Sequence, residues 1–428
     1  MNTVSILSAA AMASLAAWAE PAPGRAAMSD AYWAIWNDAE QARIDADIEA
    51  NRKADASAAV DAPDGTEVRY EQLTHEFRFG ASTFNFGQLG SPELNRRYEA
   101  AFGEGGVFNQ GTVPFYWREY EPEPGVIRAY DGEAATEEYW NALPREKAVK
   151  DRFWRRPPPG RVIDFLKSKG LRAHGHILVT GGFRPEWLYD KFCPENEKEY
   201  LEKLGLPRRD TYKPEPNGKE WEFAHFRGFC EKKLYPKMSE QEIAAALPGW
   251  TDAMRRLWTK RVLDIGAHFG DKADSWDVVN ESSRDYVKYG KSRTGLPVWK
   301  SFKGIMPGDF PLTALIDAKR AFPETTELAI NDNNINADFL KQVKDLTAEG
   351  ARIDLVGCQM HIMRVPDVKA LAAGKKHVNW VGTPKTIRDR LDTMAKTGRR
   401  IHISEITIPQ AIKGEKGLAI QANAVRNL

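Results

Sequence analysis

The sequence predicts an α/β protein whose fold class is the (β/α)8 barrel, or TIM barrel. From about residue 160 onward, short apolar runs rich in β-branched residues alternate with segments of helical length and periodicity. That alternation is typical of βαβ units and a parallel sheet. Several of the apolar runs end in Asn, Asp, Glu, Gln or His, and barrel enzymes carry their functional residues at the carboxyl ends of the strands.

The clearest of these runs is Trp276-Asp277-Val278-Val279-Asn280-Glu281. Two valines form its centre and no helix signal interrupts it, so we interpret it as a buried strand. It ends in an amide and a carboxylate, Asn280 and Glu281. An active site of the barrel type then requires further strands and a second carboxylate.

Seven barrel strands are predicted. They cover residues 76–80, a segment beginning at 107–109, and residues 171–179, 276–281, 328–332, 353–361 and 401–406. The later helices between them end at glycines 170, 270, 350 and 398, a common helix stop. A closed barrel needs eight strands, and only 22 residues follow Ile406. We therefore expect the eighth strand to be missing, as in a truncated reading frame.

Three segments are predicted along the chain. Residues 1–19 are apolar and uncharged and end in Ala17-Trp18-Ala19, which favours a signal peptide and a secreted or periplasmic protein over an Ala-rich disordered tail. Residues 20–75 are predicted to form a linker, a helix and a small β appendage. Residues 76–428 form the barrel domain, with insertions at about 184–250 and 282–310 that lie on the catalytic face.

The composition limits the classes of partner that the sequence predicts. The chain has 61 basic and 60 acidic residues, so it has no global field that favours nucleic acid. The apolar N-terminal run is shorter than a membrane span usually requires. We expect a monomer that needs no cofactor or metal and has no membrane partner. Of the three cysteines, Cys193 and Cys230 share a loop-like region, where a disulfide or two thiols both fit the sequence, and Cys358 lies in an apolar strand.

Polar side chains at the predicted strand ends define the candidate site. In chain order they are His174, His176, Asn280, Glu281, Asn331, Asp332, Gln359, His361 and Glu405. Glu281 and Glu405, on the fourth and seventh strands, are a natural acid/base and nucleophile pair. Two such carboxylates hydrolyse a glycosidic bond: one protonates the leaving oxygen and the other attacks the anomeric carbon. As the acid, Glu281 is expected to have a raised pKa.

Several of these segments together resemble glycoside hydrolase family 10, whose best-known members are endo-β-1,4-xylanases. They are the Trp276–Glu281 strand, Gly175–Val179 with Arg184-Pro185-Glu186-Trp187, Asn331-Asp332, Gly357-Cys358-Gln359-Met360-His361, and Ile403-Ser404-Glu405-Ile406. The resemblance covers about residues 76–410. It implies a secreted, retaining, endo-acting hydrolase of a cell-wall type polysaccharide from plants or algae.

The resemblance also implies roles for individual residues. Glu281 is implied as the acid/base and Glu405 as the nucleophile. Asn280 is implied as the donor to the sugar 2-hydroxyl and His361 as the partner of Glu405. The remaining implied substrate-binding or supporting residues are His176, Asn331, Gln359 and Trp117.

Three departures from the family pattern concern the sugar-binding residues. Residues 112–117 lack the family's Asn and Lys and keep only Trp117, Thr180-Gly181 replace Trp-His, and Thr407 replaces an Asp. The chemistry is therefore predicted more firmly than xylan as the substrate. Trp187, Trp221 and Trp299 are candidates for sugar stacking or, equally, for buried packing.

Two other classes of protein compete with this prediction. A metal-dependent barrel hydrolase would use the pair His174-x-His176 with Asp332 or His361 as further ligands. A degenerate, non-catalytic barrel would bind carbohydrate without cleaving it. His402 is out of phase with Glu405, so we expect it to face the helix layer and to be structural.

Overall fold

The structure is a computed structural model that describes residues 24–55, 61, 63, 65–69, 75–211, 221–288, 295–375 and 382–427. The predicted signal peptide, residues 1–19, lies outside the described residues. The described chain separates into two compact units. The main unit comprises Phe77–Gln359 and Thr393–Ser404, and the terminal unit comprises Met1–Glu76, Met360–Asp392 and Glu405–Leu428.

Nine strands are present in the described residues. They are β1 (Gly80–Ser82), β2 (Gln110–Pro114), β3 (Arg172–Thr180), β4 (Ser275–Asn280), β5 (Val298–Ser301), β6 (Gly304–Pro307), β7 (Glu327–Asp332), β8 (Leu355–His361) and β9 (Arg400–Thr407). Seven of them form one sheet in the order β1-β2-β3-β4-β7-β8-β9. The pairs from β1 to β8 are parallel, whereas β5 and β6 form a separate antiparallel hairpin.

Helices follow the strands in the alternation that the sequence predicts. The α-helices are Asp30–Ile35, Asp38–Arg52, Pro92–Glu99, Trp117–Tyr120, Glu137–Asn141, Arg145–Ala148, Pro159–Ser168, Trp187–Phe192, Glu195–Lys203, Arg227–Phe229, Glu240–Ala246, Pro248–Phe269, Ser283–Lys288, Phe310–Ala321, Ala337–Ala348, Val365–Ala372, Pro384–Ala395 and Glu415–Asn427. A 3₁₀ turn, Arg25–Ala27, and two π-helical turns, Glu222–Phe226 and Cys230–Leu234, complete the set. The α/β class with sequential parallel strands is confirmed, and the described residues contain no eighth strand of the sheet.

The core of the main unit is built around β4. Trp276 is fully buried, with Phe115 and Phe322 at ring-centroid distances of 4.6 Å and 5.4 Å. The neighbouring position on β3 is Gly175, where a Cβ would lie 2.2 Å from the indole ring. Glycine is therefore required at this point of β3, because a larger residue would occupy the space of the Trp276 ring.

An irregularity in β4 changes which side chains reach its neighbours. The register shifts between His176 and Val179 on the β3 side and between Asp277 and Val279 on the β7 side. A bulge of this kind re-aims the residues that follow it. Asp277 and Asn280, three positions apart, both make side-chain contacts with adjacent strands (described below). In a regular strand, residues three positions apart face opposite sides of the sheet. The bulge in β4 lets both Asp277 and Asn280 contact side chains of the adjacent strands.

The terminal unit joins residues from both ends of the chain. Tyr32 is buried; its hydroxyl donates to Asn423 O at 3.3 Å and accepts from Asn427 Nδ2 at 2.8 Å. Glu40 forms an ion pair with Arg388. Residues 30–35 are therefore helical and packed, in a segment, 20–75, for which the sequence predicts a linker, a helix and a small β appendage.

Other local predictions differ from the structure. The first strand is Gly80–Ser82 rather than residues 76–80, and Phe77 and Phe79 pack on each other, half-exposed, at 4.9 Å. Of the predicted β appendage, residue 65 lies in a turn and residues 66–69 form no strand, and residues 56–60 lie outside the described residues. The hairpin stays a prediction.

The structure also describes the three cysteines and parts of both insertions. Cys193, Cys230 and Cys358 are free and buried, so Cys193 and Cys230 form no disulfide. The insertion at about 184–250 is largely helical in its described part, and that at 282–310 contains the β5–β6 hairpin. Within the residues that the structure describes, no helix combines the length and apolar character needed to cross a membrane.

Candidate active site

Glu281 directly follows β4, as the sequence predicts. Its backbone is left-handed, with φ 55°, and its N–H donates to Asn331 O at 2.8 Å. A non-glycine residue held in this region is uncommon and is often part of a functional site. The side chain is 29 % exposed. Its carboxylate therefore has a fixed starting point at the end of a rigid strand and is open to solvent.

The contacts of Glu281 correct one expectation. Lys303 Nζ lies 2.7 Å from Glu281 Oε2, and Gln359 Nε2 donates to Oε1 at 3.4 Å. Burial raises the pKa of Glu281, but the Lys303 ammonium and the Gln359 amide outweigh it and hold the pKa below its ordinary value. The expectation of a raised pKa is wrong because the sequence does not place Lys303 beside Glu281.

Lys303 comes from the turn between β5 and β6 and explains a departure from the family pattern. It is 9 % exposed, and its Nζ is 3.4 Å from Thr180 Oγ1. A Cβ at Gly181 would lie 2.7 Å from Lys303 Cβ. The small residues at positions 180 and 181 thus leave the space that the lysine side chain occupies. Their unusual smallness was the one available signal for a long side chain arriving from elsewhere.

A network of amides orients Asn280. Its Oδ1 accepts from Asn331 Nδ2 at 3.0 Å and from Gln359 Nε2 at 3.0 Å. Asn331 Oδ1 in turn accepts from the hydroxyl of Ser404 at 2.5 Å. Because its oxygen is taken by two donors, Asn280 is left with its amide nitrogen to donate. That orientation suits a donor to a sugar hydroxyl, the role that the family resemblance implies.

The two histidines of β3 share one carboxylate of β4. His176 Nδ1 lies 2.7 Å from Asp277 Oδ2, His174 Nε2 lies 3.0 Å from the same oxygen, and His174 Nδ1 is 2.8 Å from Ser275 Oγ. Burial raises the pKa of Asp277, but the two imidazoles outweigh it and hold this pKa well below its usual range. His174, His176 and Asp277 are all buried. This group forms a buried polar cluster between β3 and β4.

The same geometry bears on the metal-dependent alternative. Asp332 is buried and accepts from the backbone N–H groups of Ser283 at 2.9 Å and Asn334 at 2.8 Å. It is therefore engaged in holding the loop after β7 and the start of the 283–288 helix. Across the described part of the chain, no three His, Cys, Asp or Glu side chains are grouped so as to hold a metal ion.

His402 also differs from expectation. Its ring stands edge-on to that of His174 with centroids 5.1 Å apart, so it faces β3 rather than the helix layer. Burial lowers the pKa of His402 to about 4, and the neighbouring His174 contributes in the same direction. His402 is thus a neutral imidazole at ordinary pH that packs within the main unit.

The second predicted carboxylate, Glu405, lies in the terminal unit with its predicted partner. His361 Nε2 is 3.1 Å from Glu405 Oε2, and His361 Nδ1 is 2.9 Å from Thr407 Oγ1. The Glu405 side chain is 27 % exposed. The imidazole is therefore held between the carboxylate and a hydroxyl. Thr407 stands where the family pattern has an aspartate, and its hydroxyl contacts the second ring nitrogen.

The four tryptophans predicted to bind sugar are all buried. Trp117 is 5 % exposed, donates its indole N–H to Glu121 at 2.7 Å and packs edge-on against Trp258 at 5.0 Å. The other candidate stacking tryptophans, Trp187, Trp221 and Trp299, are also buried, which favours packing. The rings that lie against His176 include those of Tyr116, at 5.5 Å, and Phe84, at 6.4 Å. No periodicity or motif distinguishes Tyr116 from its neighbour in the sequence.

Comparisons with known proteins bear on the family of this chain. Residues 238–428 match the family model described as glycosyl hydrolase family 10. This segment includes both Glu281 and Glu405. The family predicted from the sequence is therefore confirmed over the C-terminal part of the chain.

Individual relatives carry the name endo-1,4-beta-xylanase A. The one from Halalkalibacterium halodurans is 23 % identical over 286 residues, 60 % of each chain. The one from Xylanibacter ruminicola is 35 % identical over 207 residues, which is 47 % of this chain and 39 % of the relative. This chain thus spans less than two thirds of the length of either relative. The solved structure of xylanase 10B from Thermotoga petrophila RKU-1 in complex with xylobiose has a TM-score of 0.45 and 19 % identity, covering 82 % of this chain and 76 % of that chain.

Proposed function

We propose that this protein is a retaining, endo-acting glycoside hydrolase that cleaves a β-linked polysaccharide of the xylan type. The observation that carries the proposal is the set of groups around Glu281: a solvent-accessible carboxylate on a strained backbone, beside an amide whose nitrogen is oriented to donate. Strain at such a point is characteristic of a functional site. The family match over residues 238–428 supports the same reaction class.

In the proposed reaction, Glu281 protonates the glycosidic oxygen while a Glu405 carboxylate oxygen attacks the anomeric carbon. The bond from that carbon to the leaving oxygen breaks, and a glycosyl ester of Glu405 forms. Glu281, now ionised, takes a proton from water as the water oxygen attacks the anomeric carbon. The ester bond breaks, Glu405 is released as a carboxylate, and the sugar keeps its β configuration.

Two neighbouring groups support these steps. His361 holds Glu405 through Nε2, and a donor to a carboxylate favours its ionised form, the form that attacks. The Asn280 amide nitrogen is proposed to donate to the sugar 2-hydroxyl, a contact that strengthens in the transition state. Asn331 and Gln359 are proposed to orient Asn280, to which both donate, and His176 is proposed to support the end of β4 through its contact with Asp277.

The test is hydrolysis of xylan and of a panel of other β-linked polysaccharides, with the products separated by size. We expect internal cleavage of at least one of them. Glu281→Gln and Glu405→Gln should each lower kcat by about 10²–10⁴-fold on natural substrates, because each removes one proton-transfer or nucleophilic group. Glu324→Gln, which changes an 86 % exposed glutamate, is the matched control and should keep wild-type activity. Full activity in both active-site variants refutes the assignment.

One observation favours a second candidate function, a non-catalytic carbohydrate-binding protein. Lys303 stabilises Glu281 in the ionised form, in which it cannot act as an acid. Binding of a polysaccharide without any product, unchanged in Glu281→Gln, is the result that this alternative predicts.

We also propose that the protein acts outside the cytoplasm, secreted or periplasmic, because its proposed substrate is an extracellular polymer. Mass spectrometry of protein recovered from the medium or periplasm of an expressing bacterium tests this. A mature N-terminus near residue 20 is expected. Recovery in the cytoplasm with Met1 intact contradicts the proposal.

A further inference from the structure

The turn between β5 and β6 holds the backbone of Lys303 through buried groups. Arg184 donates to Lys303 O at 3.0 Å, and the N–H of Lys303 donates to Ser301 Oγ at 2.9 Å. The Ser301 hydroxyl donates to the buried carboxylate of Asp285. Gly304 closes the turn with φ 99°, and a Cβ there would lie 2.9 Å from the Arg184 guanidinium. Because its supports are buried, this turn presents the lysine from a fixed position.

The Lys303 side chain crosses the space that Gly181 leaves open and ends at Glu281. A Cβ at Gly181 would lie 2.7 Å from Lys303 Cβ and 2.9 Å from its Cδ. The lysine side chain is nearly buried, and its ammonium nitrogen lies 2.7 Å from Glu281 Oε2. A partly buried ion pair is screened much less by water and salt than an exposed one. Lys303 therefore acts on Glu281 as a fixed positive charge.

The other charged groups that face Glu281 come from three further elements. Burial raises the pKa of Glu281, but Lys303, with a smaller contribution from His176 on β3, outweighs burial and holds this pKa below its ordinary value. Burial lowers the pKa of Arg227, and Glu281 is among the carboxylates that counteract the lowering. Burial raises the pKa of Asp332 on β7, and Glu281 adds to the rise. The cationic side favours the ionised form of Glu281.

The two halves of the proposed reaction need opposite forms of Glu281. A sugar is a poor leaving group unless its oxygen receives a proton, so Glu281 must carry that proton in the first half. In the second half Glu281 must be ionised, because it takes a proton from the attacking water. The position of Lys303 therefore hinders the first half for a sugar leaving group and supports the second.

A phenol is a leaving group of a different kind. A phenol such as the tyrosine side chain has a pKa of about 10, so it can depart as the phenolate ion without a proton from the protein. We propose that Lys303 is a positioning residue that directs the protein towards bonds between a sugar and a phenol, in preference to bonds between two sugars. This inference rests on the proposed function, whose two-glutamate reaction it keeps, and it narrows the leaving group.

The reaction with a phenolic glycoside balances without an acid in its first half. A Glu405 oxygen forms a bond to the anomeric carbon, the bond from that carbon to the phenolic oxygen breaks, and its electron pair leaves with the phenolate. Ionised Glu281 then takes a proton from water while the water oxygen attacks the anomeric carbon. The ester bond to Glu405 breaks, and Glu281 passes its proton to the phenolate or to solvent.

The test compares leaving groups on one glycone. The substrates are 2,4-dinitrophenyl β-xylobioside, phenyl β-xylobioside and xylotriose, each of which transfers a xylobiosyl group to the protein. The measured quantity is kcat/KM at pH 7, which reports the transition state relative to free enzyme and substrate. We expect wild type to cleave phenyl β-xylobioside at least about 100-fold faster than xylotriose, because a missing general acid costs about 10²–10⁴-fold. The ratio should shrink towards pH 4, where more Glu281 is protonated.

Variants separate this role from a purely structural one. Lys303→Met should raise the rate on xylotriose relative to 2,4-dinitrophenyl β-xylobioside by at least about tenfold, because only the sugar needs the acid. Lys303→Arg keeps the charge and should keep the wild-type ratio. Lys260→Met, at an exposed ion pair with Asp264, is the matched control and should also keep it. The comparison of substrates on wild type needs no variant and stands even where Lys303→Met does not fold.

The outcomes distinguish the inference from the proposed function. Wild-type rates on xylotriose within tenfold of those on phenyl β-xylobioside at pH 7 overturn the role of Lys303 and leave the hydrolase. An equal change on every substrate in Lys303→Met has the same meaning. Absence of turnover on every substrate refutes the proposed function, and the inference with it.

Discussion

Replacing Lys303 by methionine removes the ammonium group from Glu281 while keeping most of the side-chain volume beside Gly181. The wild-type pair has an N–O distance of 2.7 Å, with side-chain exposures of 9 % for Lys303 and 29 % for Glu281. Leaving one partner of a fully buried ion pair alone costs about 3–5 kcal/mol. Because Glu281 retains access to water, we expect the lower free energy of unfolding in Lys303→Met to amount to about 2 kcal/mol.

The pH dependence follows from the direction of the pKa shift. With Lys303 present, the pKa of Glu281 in the folded protein lies below its ordinary value of 4.5. The pair therefore stabilises the fold above pH 4.5, and this stabilisation is lost as pH falls through the lowered pKa. Without Lys303, burial is left as the main influence and raises the pKa. The difference in unfolding free energy between wild type and variant should then be largest near pH 7 and vanish in acid.

Activity gives an independent measure of the same pair. The pKa of a general acid sets the alkaline limb of the pH profile of kcat/KM. We expect this limb to move to higher pH in Lys303→Met on a neutral aryl β-glycoside. The assays are urea unfolding at pH 4 and pH 7 and the pH–rate profile. The control is Lys260→Met, which removes an exposed ion pair with Asp264 and should change the free energy of unfolding by no more than about 0.5 kcal/mol. An unchanged limb together with an unchanged urea midpoint at pH 7 refutes the reasoning.

Two further substitutions test the surroundings of the site. Thr407→Val removes the hydroxyl 2.9 Å from His361 Nδ1. We expect kcat to fall about fivefold, which corresponds to a hydrogen bond worth about 1 kcal/mol. The control Thr347→Val, on the 337–348 helix, should not change kcat, and equal rates in the two variants contradict the role of Thr407. Gly175→Ala places a methyl group against the Trp276 ring and should lower the free energy of unfolding by about 3 kcal/mol. Gly228→Ala, at a position with open space around it, should instead raise the free energy of unfolding by about 0.5–1 kcal/mol. Similar urea midpoints for the two variants contradict the packing described for β4.

Much of the fold could be predicted because local patterns determine it. The strands β3, β4, β7, β8 and β9 lie within two residues of their predicted limits, since apolar residues recur along each of them and helix-ending glycines or polar loops separate them. The first strand could not be located, because β1 has only three residues and the alternation before it belongs to two half-exposed phenylalanines. Three residues carry too little periodicity to be recognised.

The candidate site could be predicted only where it lies on strand ends. Asn280, Glu281, Asn331 and Gln359 are in mutual contact as expected for neighbouring parallel strands. Lys303 could not be found, because it reaches Glu281 from a hairpin inside an insertion. Its presence reversed the expected direction of the Glu281 pKa.

The grouping of Arg156, Phe183 and Tyr116 could not be predicted from the sequence for a related reason. Arg156, Phe183 and Tyr116 come from separate loops, and only the folded chain brings their side chains within 6 Å of one another. In the sequence they are ordinary loop residues. The sequence makes Trp187, Trp221 and Trp299 candidates for sugar stacking instead, but all three are buried in the core.

The central claim, a two-glutamate retaining mechanism, is tested most directly by the configuration of the first product. Proton NMR during early hydrolysis of a xylo-oligosaccharide reports the anomeric signal at the cleaved sugar before mutarotation mixes the two forms. The account predicts that the β anomer appears first and the α anomer later, because a glycosyl ester on Glu405 requires two inversions. Initial appearance of the α anomer would contradict it.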